Sequence, residues 1–390
     1  MEPASLHPVI DPLACIGCGA CAKACPEDQV LGVIDGKAEL VNPSHCIGHG
    51  ACRTACPTRA LTLVFGTEKR GVDIPNVRPN FETNVPGIFI AGELGGMGLI
   101  RNAIEQGRQA LDSIARLDDI GNGSDLDVVI VGAGPSGLSA SLAAKEKKLR
   151  FVTLEQDSLG GTVAHYPRGK IVMTAPARLP LVGTVKFRET TKEKLLEFWS
   201  SVVSKTRLKI NFGERVEQVS PNGRGFVVQT SQGQYKARSV LLTIGRRGMP
   251  RKLGVPGEEL PKVTYRLIDP EQYRGQRVLV VGGGDSALEA AVSIAEQPGT
   301  AVTLSYRSAA FNRAKEKNRQ RVRDAVDAGR LQVLLESTVK QLTREHVELE
   351  QADRRLRLEN DAVIVNAGGI LPTPFLKKLG IDVETKFGTR

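Results

Sequence analysis

No cysteine follows Cys56 in a chain of 390 residues, although seven stand between positions 15 and 56. That absence excludes a scattered disulfide framework. It also excludes a dithiol relay in the larger part of the chain, since thiol–disulfide exchange needs an attacking thiolate. Aromatic residues make up only 4%, so the stacking platforms of nucleic-acid binders are missing despite a net charge of +10. No apolar run is long enough to span a bilayer; stretches such as residues 128–131 are short and broken by glycine. No basic segment followed by an apolar run opens the sequence, so no secretory signal is visible and a cytoplasmic location is expected.

What is present is glycine, 41 residues of it, which suits an α/β chain built on tight turns between strand and helix. The length implies two or three domains. The charge is uneven: residues 1–65 hold four Lys/Arg and six Asp/Glu, leaving 49 basic and 37 acidic side chains in the remainder. A basic body of this kind suits anionic cofactors, or an acidic partner such as its own N-terminal part. Nucleic acid is not expected, and residues 313–323 also read as a solvated basic helix.

The cysteines form a repeat. CIGCGACAKACP at residues 15–26 returns as CIGHGACRTACP at residues 46–57. Thiolates at C-x2-C-x2-C-x3-C-P spacing select an iron–sulfur cluster over zinc, whose structural sites use paired C-x2-C motifs. Over about residues 9–65 the chain resembles the bacterial two-cluster ferredoxins. The resemblance implies that Cys15, Cys18, Cys21 and Cys56 hold one [4Fe–4S] cluster. Cys46, Cys52 and Cys25 would hold the second, with position 49 supplying its fourth ligand. The residue there is His49, and three outcomes are open. The imidazole ligates the fourth iron and gives a second [4Fe–4S] cluster, or that corner is empty and gives [3Fe–4S], or His49 stands beside a degenerate site. A neutral imidazole removes one negative charge, so the second cluster is expected at the higher potential. His45, just outside the repeat, is expected at the surface.

Residues 127–131 form an apolar run, followed by GAGPSG at 132–137, a helical stretch and a second apolar run ending at Glu155. In this context Gly132, Gly134 and Gly137 let backbone N–H groups approach a pyrophosphate at a helix N-terminus, and Glu155 accepts from the adenosine ribose. The pattern returns at residues 277–281 with GGGDSA at 282–287, making Gly282, Gly284, Asp285, Ser286 and Ala287 a second nucleotide turn. Here no acid closes the following strand. Arg307 stands in that place, with Arg313 as a second candidate, which suits the 2′-phosphate of NADP and favours NADPH over NADH.

Two such folds with GGT at 160–162, TIG at 243–245 and NVPGIFIAGE at 84–93 resemble the flavin reductases of the thioredoxin-reductase type, over about residues 66–390. The resemblance implies bound FAD, with Gly161, Thr162 and Gly245 lining it. It places Gly92 and Glu93 at the ribityl chain, Glu93 being one methylene longer than the family's aspartate. It places the backbone of Ala103 at the isoalloxazine ring, and it implies a homodimer. Two departures stand out. The redox C-x-x-C of thioredoxin reductases has no counterpart in VTYRLIDP at 263–270, as in the dithiol-free ferredoxin–NADP reductases and bacillithiol disulfide reductases. The VPGIF strand, C-terminal in the family, here precedes the first glycine-rich turn. Phe387-Gly-Thr echoes Phe65-Gly-Thr, so a circular permutation is expected, with Arg390 within about 14 Å of residues 66–71.

The expected architecture is α/β, with two Rossmann-type domains behind a small α+β ferredoxin domain. Residues 1–65 are the ferredoxin, 66–117 the permuted part of the FAD domain and 118–126 a linker. Residues 127–248 are the FAD-binding domain, 249–367 the NAD(P)-binding domain and 368–390 the return segment. The expected function is an oxidoreductase moving electrons between NAD(P)H, FAD, the clusters and an external carrier, such as a ferredoxin or a small acceptor. Hydride transfer depends on placement, so no side chain is nominated as catalytic. Two rival readings are an FAD-dependent reductase of a small disulfide and a non-enzymatic iron–sulfur redox sensor.

Overall fold

The computed structural model describes residues 6–387 except 28, 44, 45, 47, 67–70, 97, 123, 124, 167, 170, 174, 175, 187, 188, 313 and 353. Among these residues no helix is long and apolar enough to cross a membrane. The chain divides into two compact units, one of Met1–Arg246 with Pro372–Arg390 and one of Arg247–Leu371.

The first unit opens with β1 (His7–Ile10), α1 (Ala20–Ala24), β2 (Leu31–Ile34), β3 (Lys37–Leu40), α2 (Ala51–Ala55) and β4 (Leu61–Val64). The sequence repeat is a backbone repeat. Both one-turn helices begin after a left-handed glycine, Gly19 at φ 70° and Gly50 at φ 80°, and both end at an extended cysteine, Cys25 and Cys56. Glycine is required one step earlier too. A β-carbon on Gly17 would lie 2.1 Å from Gly36 O, and one on Gly48 would lie 2.6 Å from Leu6 O. β1 and β4 pair antiparallel, with His7 opposite Val64 and Ile10 opposite Leu61, while β2 and β3 form a hairpin. The core is small: Val30, Leu31, Ala60 and Leu61 pack around Cys15, Cys21 and Cys52.

The flavin-type half follows with β5 (Val72–Pro75), β6 (Ile88–Ile90), α3 (Ile100–Ile114), β7 (Leu126–Val131), α4 (Pro135–Glu146) and β8 (Phe151–Glu155). Its sheet runs Asn211–Phe212, β8, β7, Gln234–Leu242, Gly225–Thr230 and Val216–Asn222. β6 lies parallel to the end of Gln234–Leu242, Ile88 opposite Val240. Thus a strand that comes before β7 in the chain sits on the far side of β7's neighbour. Residues 136–144 of α4 are all buried, and this explains their small side chains. A β-carbon on Gly107 of α3 would fall 2.1 Å from Ser136 O, so the helices meet almost backbone to backbone. The end of the chain returns to this half: Val383–Lys386 pairs antiparallel with β5, Lys386 opposite Val72. A β-carbon on Gly71 would lie 2.9 Å from Phe387 Cε1. Arg390 lies outside the described residues; the side chain three positions before it packs on the first described residue after 70.

The second unit holds a parallel five-stranded sheet ordered Val263–Thr264, Ala362–Val365, Arg277–Val281, Ala301–Tyr306 and Leu331–Leu335. Helices Asp285–Ala295 and Glu316–Asp327 join its core. It begins at Arg247 and ends at Leu371, wider than the expected 249–367. The reason is a short ribbon in which Met249 pairs with Ile370 and Pro250 with Gly369, which keeps residues 368–371 with this unit.

Candidate cofactor sites

The cysteine module brings side chains together across the repeats. The charge of Cys56, from the second repeat, acts on Cys15 in the first. Cys25, from the first, acts on both Cys46 and Cys52. Backbone N–H groups already point at sulfur: Gly17 and Ala38 donate to Cys15 Sγ at 3.5 and 3.3 Å, and Ala60 donates to Cys56 Sγ at 3.3 Å. The Ala38 and Gly17 donors hold the Cys15 thiol below its ordinary value. At Cys56 burial opposes ionisation, but the Thr58 hydroxyl and nearby N–H groups outweigh it and lower the pKa. Burial pushes Cys21 and Cys46 up and takes Cys52 up to about 11, so at these three positions a metal's charge favours the thiolate that burial opposes. Among the described residues no three His, Cys, Asp or Glu side chains converge as for a single metal ion. A cubane spreads its thiolates over separate irons, and the donor set fits one. His49 stands at the position equivalent to Cys18. Its Nε2 is buried and has no hydrogen-bond partner among the described residues. Burial lowers its pKa, with Glu27 opposing, so the imidazole is held neutral as a ligand requires. His45 lies outside the described residues.

In the flavin-type half the glycine-rich turn is locked by a residue the motif does not contain. Thr243 Oγ1 donates to Val131 O at 2.8 Å and to Gly132 O at 3.0 Å. A β-carbon on Gly132 would lie 2.7 Å from Thr243 O, and one on Gly137 would lie 1.8 Å from Gly132 O. Gly134 differs. A β-carbon there meets nothing nearer than Gly161 Cα at 3.9 Å, leaving an open cradle with Gly161 as its opposite wall. Ser136, at the start of α4, has a buried hydroxyl without a partner among the described residues. An open cradle, an orphaned hydroxyl and a helix N-terminus fit a dinucleotide pyrophosphate.

Glu155 is buried at the end of β8, its carboxylate accepting from Ala133 N at 2.7 Å and Asp157 N at 2.9 Å. Burial raises its pKa against these donors. The folded chain then keeps a proton that the unfolded chain has released. Stability of the flavin-free protein is therefore expected to fall as pH rises from the ordinary 4.5 through the raised value. Glu155→Gln should flatten this slope in urea titrations run from pH 4.5 to neutrality; an unchanged slope would show that Glu155 is not its source.

Glu93 opens a 3-10 turn, Glu93–Gly95, behind Gly92 at φ 85°. Gly92 N donates to Gln106 Oε1 at 2.9 Å, and a β-carbon on Gly92 would lie 3.7 Å from Ala103 Cβ, at the start of α3. A β-carbon on Gly245 would be 3.7 Å from Thr162 Oγ1 and 3.8 Å from Glu93 Oε2. Gly92, Glu93, Ala103, Thr162 and Gly245 thus come from four segments to one place. The motifs did not reveal Arg246 or Asp73. Arg246 Nη2 donates to Asp73 O at 3.0 Å, and Glu93 and Asp73 partly offset the burial that lowers its pKa. The Asp73 carboxylate accepts from the Thr373 hydroxyl at 3.1 Å and the Thr385 hydroxyl at 2.8 Å. Asp73 therefore ties both ends of the first unit's chain breaks to β5. No local pattern marks an aspartate that acts through residues some 300 positions away.

The second unit repeats the turn. Gly282 has φ 148°, and a β-carbon there would lie 2.4 Å from Asn366 O; Gly284 is open. Gly283 is covered by Tyr306, whose ring stacks on Phe311 with centroids 5.5 Å apart. Asp285 Oδ1 accepts from Lys315 N at 2.8 Å and Asn318 Nδ2 at 2.7 Å, and Ser286 O accepts from Asn366 at 3.3 Å. Ala287 is fully buried. Arg307 is exposed beside Tyr306; Arg313 lies outside the described residues.

The model of the pyridine nucleotide-disulphide oxidoreductase family matches residues 129–388, and that of the 4Fe-4S dicluster domain matches residues 7–57. The chain is 32% identical over 271 residues to the ferredoxin–NADP reductase of Thermus thermophilus, covering 66% of this chain and 77% of that one. It is 26% identical over 267 residues to bacilliredoxin reductase Bdr of Bacillus subtilis, covering 67% and 82%. The solved bacillithiol disulfide reductase Bdr of Bacillus cereus superimposes with a TM-score of 0.55 at 25% identity, over 66% of this chain and 82% of that one.

Proposed function

Since the chain belongs to the pyridine nucleotide-disulphide oxidoreductase family, we propose that it exchanges electrons between NADPH and a one-electron carrier, with its own dicluster module between the flavin and that carrier. It is an FAD-dependent oxidoreductase with an iron–sulfur domain. One observation carries the finer reading. The last residue of the module, Phe65, lies against Gly96, the cap of the Glu93 turn: a β-carbon on Gly96 would be 2.9 Å from the Phe65 ring. The module's last residue therefore packs on the loop of Glu93, the acid that would meet the flavin.

FAD supplies the conversion between hydride transfer and single-electron transfer when bound. Gly134, Gly161 and Ser136 would hold its pyrophosphate, Glu155 its adenosine ribose and Glu93 its ribityl chain. The Arg246 guanidinium, which feels the Glu93 charge, would stand beside that acid. Arg307 would take the 2′-phosphate of NADPH as a charge-assisted partner. His49 would ligate the fourth iron of the second cluster, as its unsatisfied, neutral nitrogen supports. The order of β6 and β7 and the pairing of β5 with Val383–Lys386 support a circularly permuted reductase body.

The test is anaerobic purification followed by NADPH titration. NADPH should bleach the flavin faster than NADH and give cluster EPR signals, with about two equivalents of a one-electron dye reduced per NADPH. As isolated, the wild type should lack a [3Fe–4S] signal and His49→Ala should show one. His49→Cys should lower that cluster's potential by something on the order of a hundred millivolts. A [3Fe–4S] signal in the wild type would remove the His49 ligand. Reduction of small disulfides is the second reading, which the Bdr relatives favour. Without a cysteine after position 56 such a substrate would have to meet the flavin directly, and disulfide-dependent NADPH oxidation would reveal it.

A further inference from the structure

The two glycine-rich turns differ at one charged position. GAGPSG at 132–137 and GGGDSA at 282–287 set Pro135 against Asp285. Each is the first residue of its helix, Pro135–Glu146 and Asp285–Ala295. Proline at the equivalent place shows that the turn itself needs no acid. An acid there also opposes the anionic pyrophosphate expected at such a helix start. The strand ends differ in the opposite sense. Glu155 accepts from Ala133 N in the first unit. In the second, Tyr306 ends the strand Ala301–Tyr306, and a β-carbon on Gly283 would lie 2.3 Å from its ring.

The Asp285 carboxylate is committed to the segment that leads from Tyr306 into the helix Glu316–Asp327. Its Oδ1 accepts from Lys315 N at 2.8 Å and from Asn318 Nδ2 at 2.7 Å, and the same amide nitrogen donates to Glu289 Oε1 at 2.9 Å. Asn318 is buried, so this amide sits between two acids of one helix. Phe311 stacks on Tyr306, Ala314 joins the unit's core, and Ser308 O accepts from Glu336 N at 3.3 Å. The segment is thus pinned along its length. On it Arg307, Lys315 and Lys317 are exposed, and its one acid, Glu316, pairs with Arg319 and Arg323.

We propose that Asp285 is a positioning residue for nucleotide selection: through Lys315 and Asn318 it fixes the 307–318 segment so that its cations meet the 2′-phosphate of NADPH. The proposal rests on the NADPH reading above. A carboxylate on the pyrophosphate turn weakens what NADPH and NADH share, while a pinned basic segment strengthens what NADPH alone has. Selectivity is that difference, and a segment already ordered loses less entropy when the nucleotide binds.

The test measures binding to the flavin- and iron-loaded protein by calorimetry at fixed salt. The probes are adenosine 2′,5′-bisphosphate and 5′-AMP, which differ by the 2′-phosphate alone. The wild type should prefer the bisphosphate about a hundredfold, as charge-assisted hydrogen bonds allow. Asp285→Ala should cut that preference about tenfold, yet bind 5′-AMP no more weakly, because a repelling charge has gone. Asn318→Ala should cut the preference similarly, and the double variant no further, since both act through one contact. Asp285→Asn, whose amide oxygen still accepts, should keep the wild-type preference. Should Asp285→Ala fail to fold, Asn318→Ala and Asp285→Asn still decide. An unmoved preference in the alanine variants would overturn the proposal. So would equal weakening of both ligands, which marks general damage to the turn, or an asparagine variant as impaired as the alanine one. A wild type that binds both ligands alike would instead sink the NADPH reading itself, and the proposal with it.

Discussion

Replacing Cys56 by alanine is expected to destroy the cluster of the first repeat and spare that of the second. Cys25→Ala should do the reverse. The expectation runs against sequence position, since Cys56 closes the second repeat and Cys25 the first. It follows from electrostatic proximity: Cys56 acts on Cys15, and Cys25 acts on Cys46 and Cys52. Each variant should lose about half the iron and acid-labile sulfide of the wild type, and EPR should show which cluster survives. The effect on folding should also be large. The module's core is made substantially of the cysteines themselves, with few large apolar side chains between them. Metal binding in such a core is folding free energy, so the double variant should be digested by protease within residues 1–65 while the body resists. Loss of the second cluster in Cys56→Ala would show that each repeat wraps its own metal.

Gly137→Ala should yield a colourless, destabilised protein, whereas Gly134→Ala should be nearly as stable as wild type yet bind FAD weakly. The two glycines are three residues apart in one motif, and what separates them is what a methyl group would strike. At position 137 it would meet Gly132 O at 1.8 Å and Thr243 Oγ1 at 2.6 Å. Both belong to the locked turn and cannot move aside cheaply. Overpacking of this kind costs about 3 kcal/mol, or a fall in melting temperature on the order of 5–10 °C for a body of this size. At position 134 the methyl would find only ordinary contact, at 3.9 Å from Gly161, but it would stand in the cradle. Thermal melting of the flavin-free forms and FAD titration by fluorescence quenching separate the two. Equal destabilisation by both would mean that Gly134 is there for packing alone.

These contrasts show which parts of the molecule the amino-acid sequence exposes. The cysteine repeat and both glycine-rich turns are local, so spacing alone locates them. The echo of Phe65-Gly-Thr in Phe387-Gly-Thr signals that the chain end returns to residue 71, and Phe387 does pack there. What spacing does not carry is the long-range closure. Thr243 locks a turn more than a hundred residues upstream, and Asp73 gathers Arg246, Thr373 and Thr385. Tyr306 covers Gly283; an aromatic side chain at a strand end says nothing of this by itself. The end of the second unit moves from 367 to Leu371 because of a two-residue ribbon, shorter than any hydrophobic pattern can register.

On the permuted reading proposed above, the pairing of β5 with Val383–Lys386 makes the reductase body, read as connectivity, a closed circle opened at one seam. A circle can be opened at another. Bridging Phe387 to Gly71 and cutting between residues 118 and 126 would give a body whose first strand is β7, with no strand required to change neighbours. The iron-binding portion could then be supplied as a detached reagent, which would turn a question about wiring inside one molecule into a titration between two.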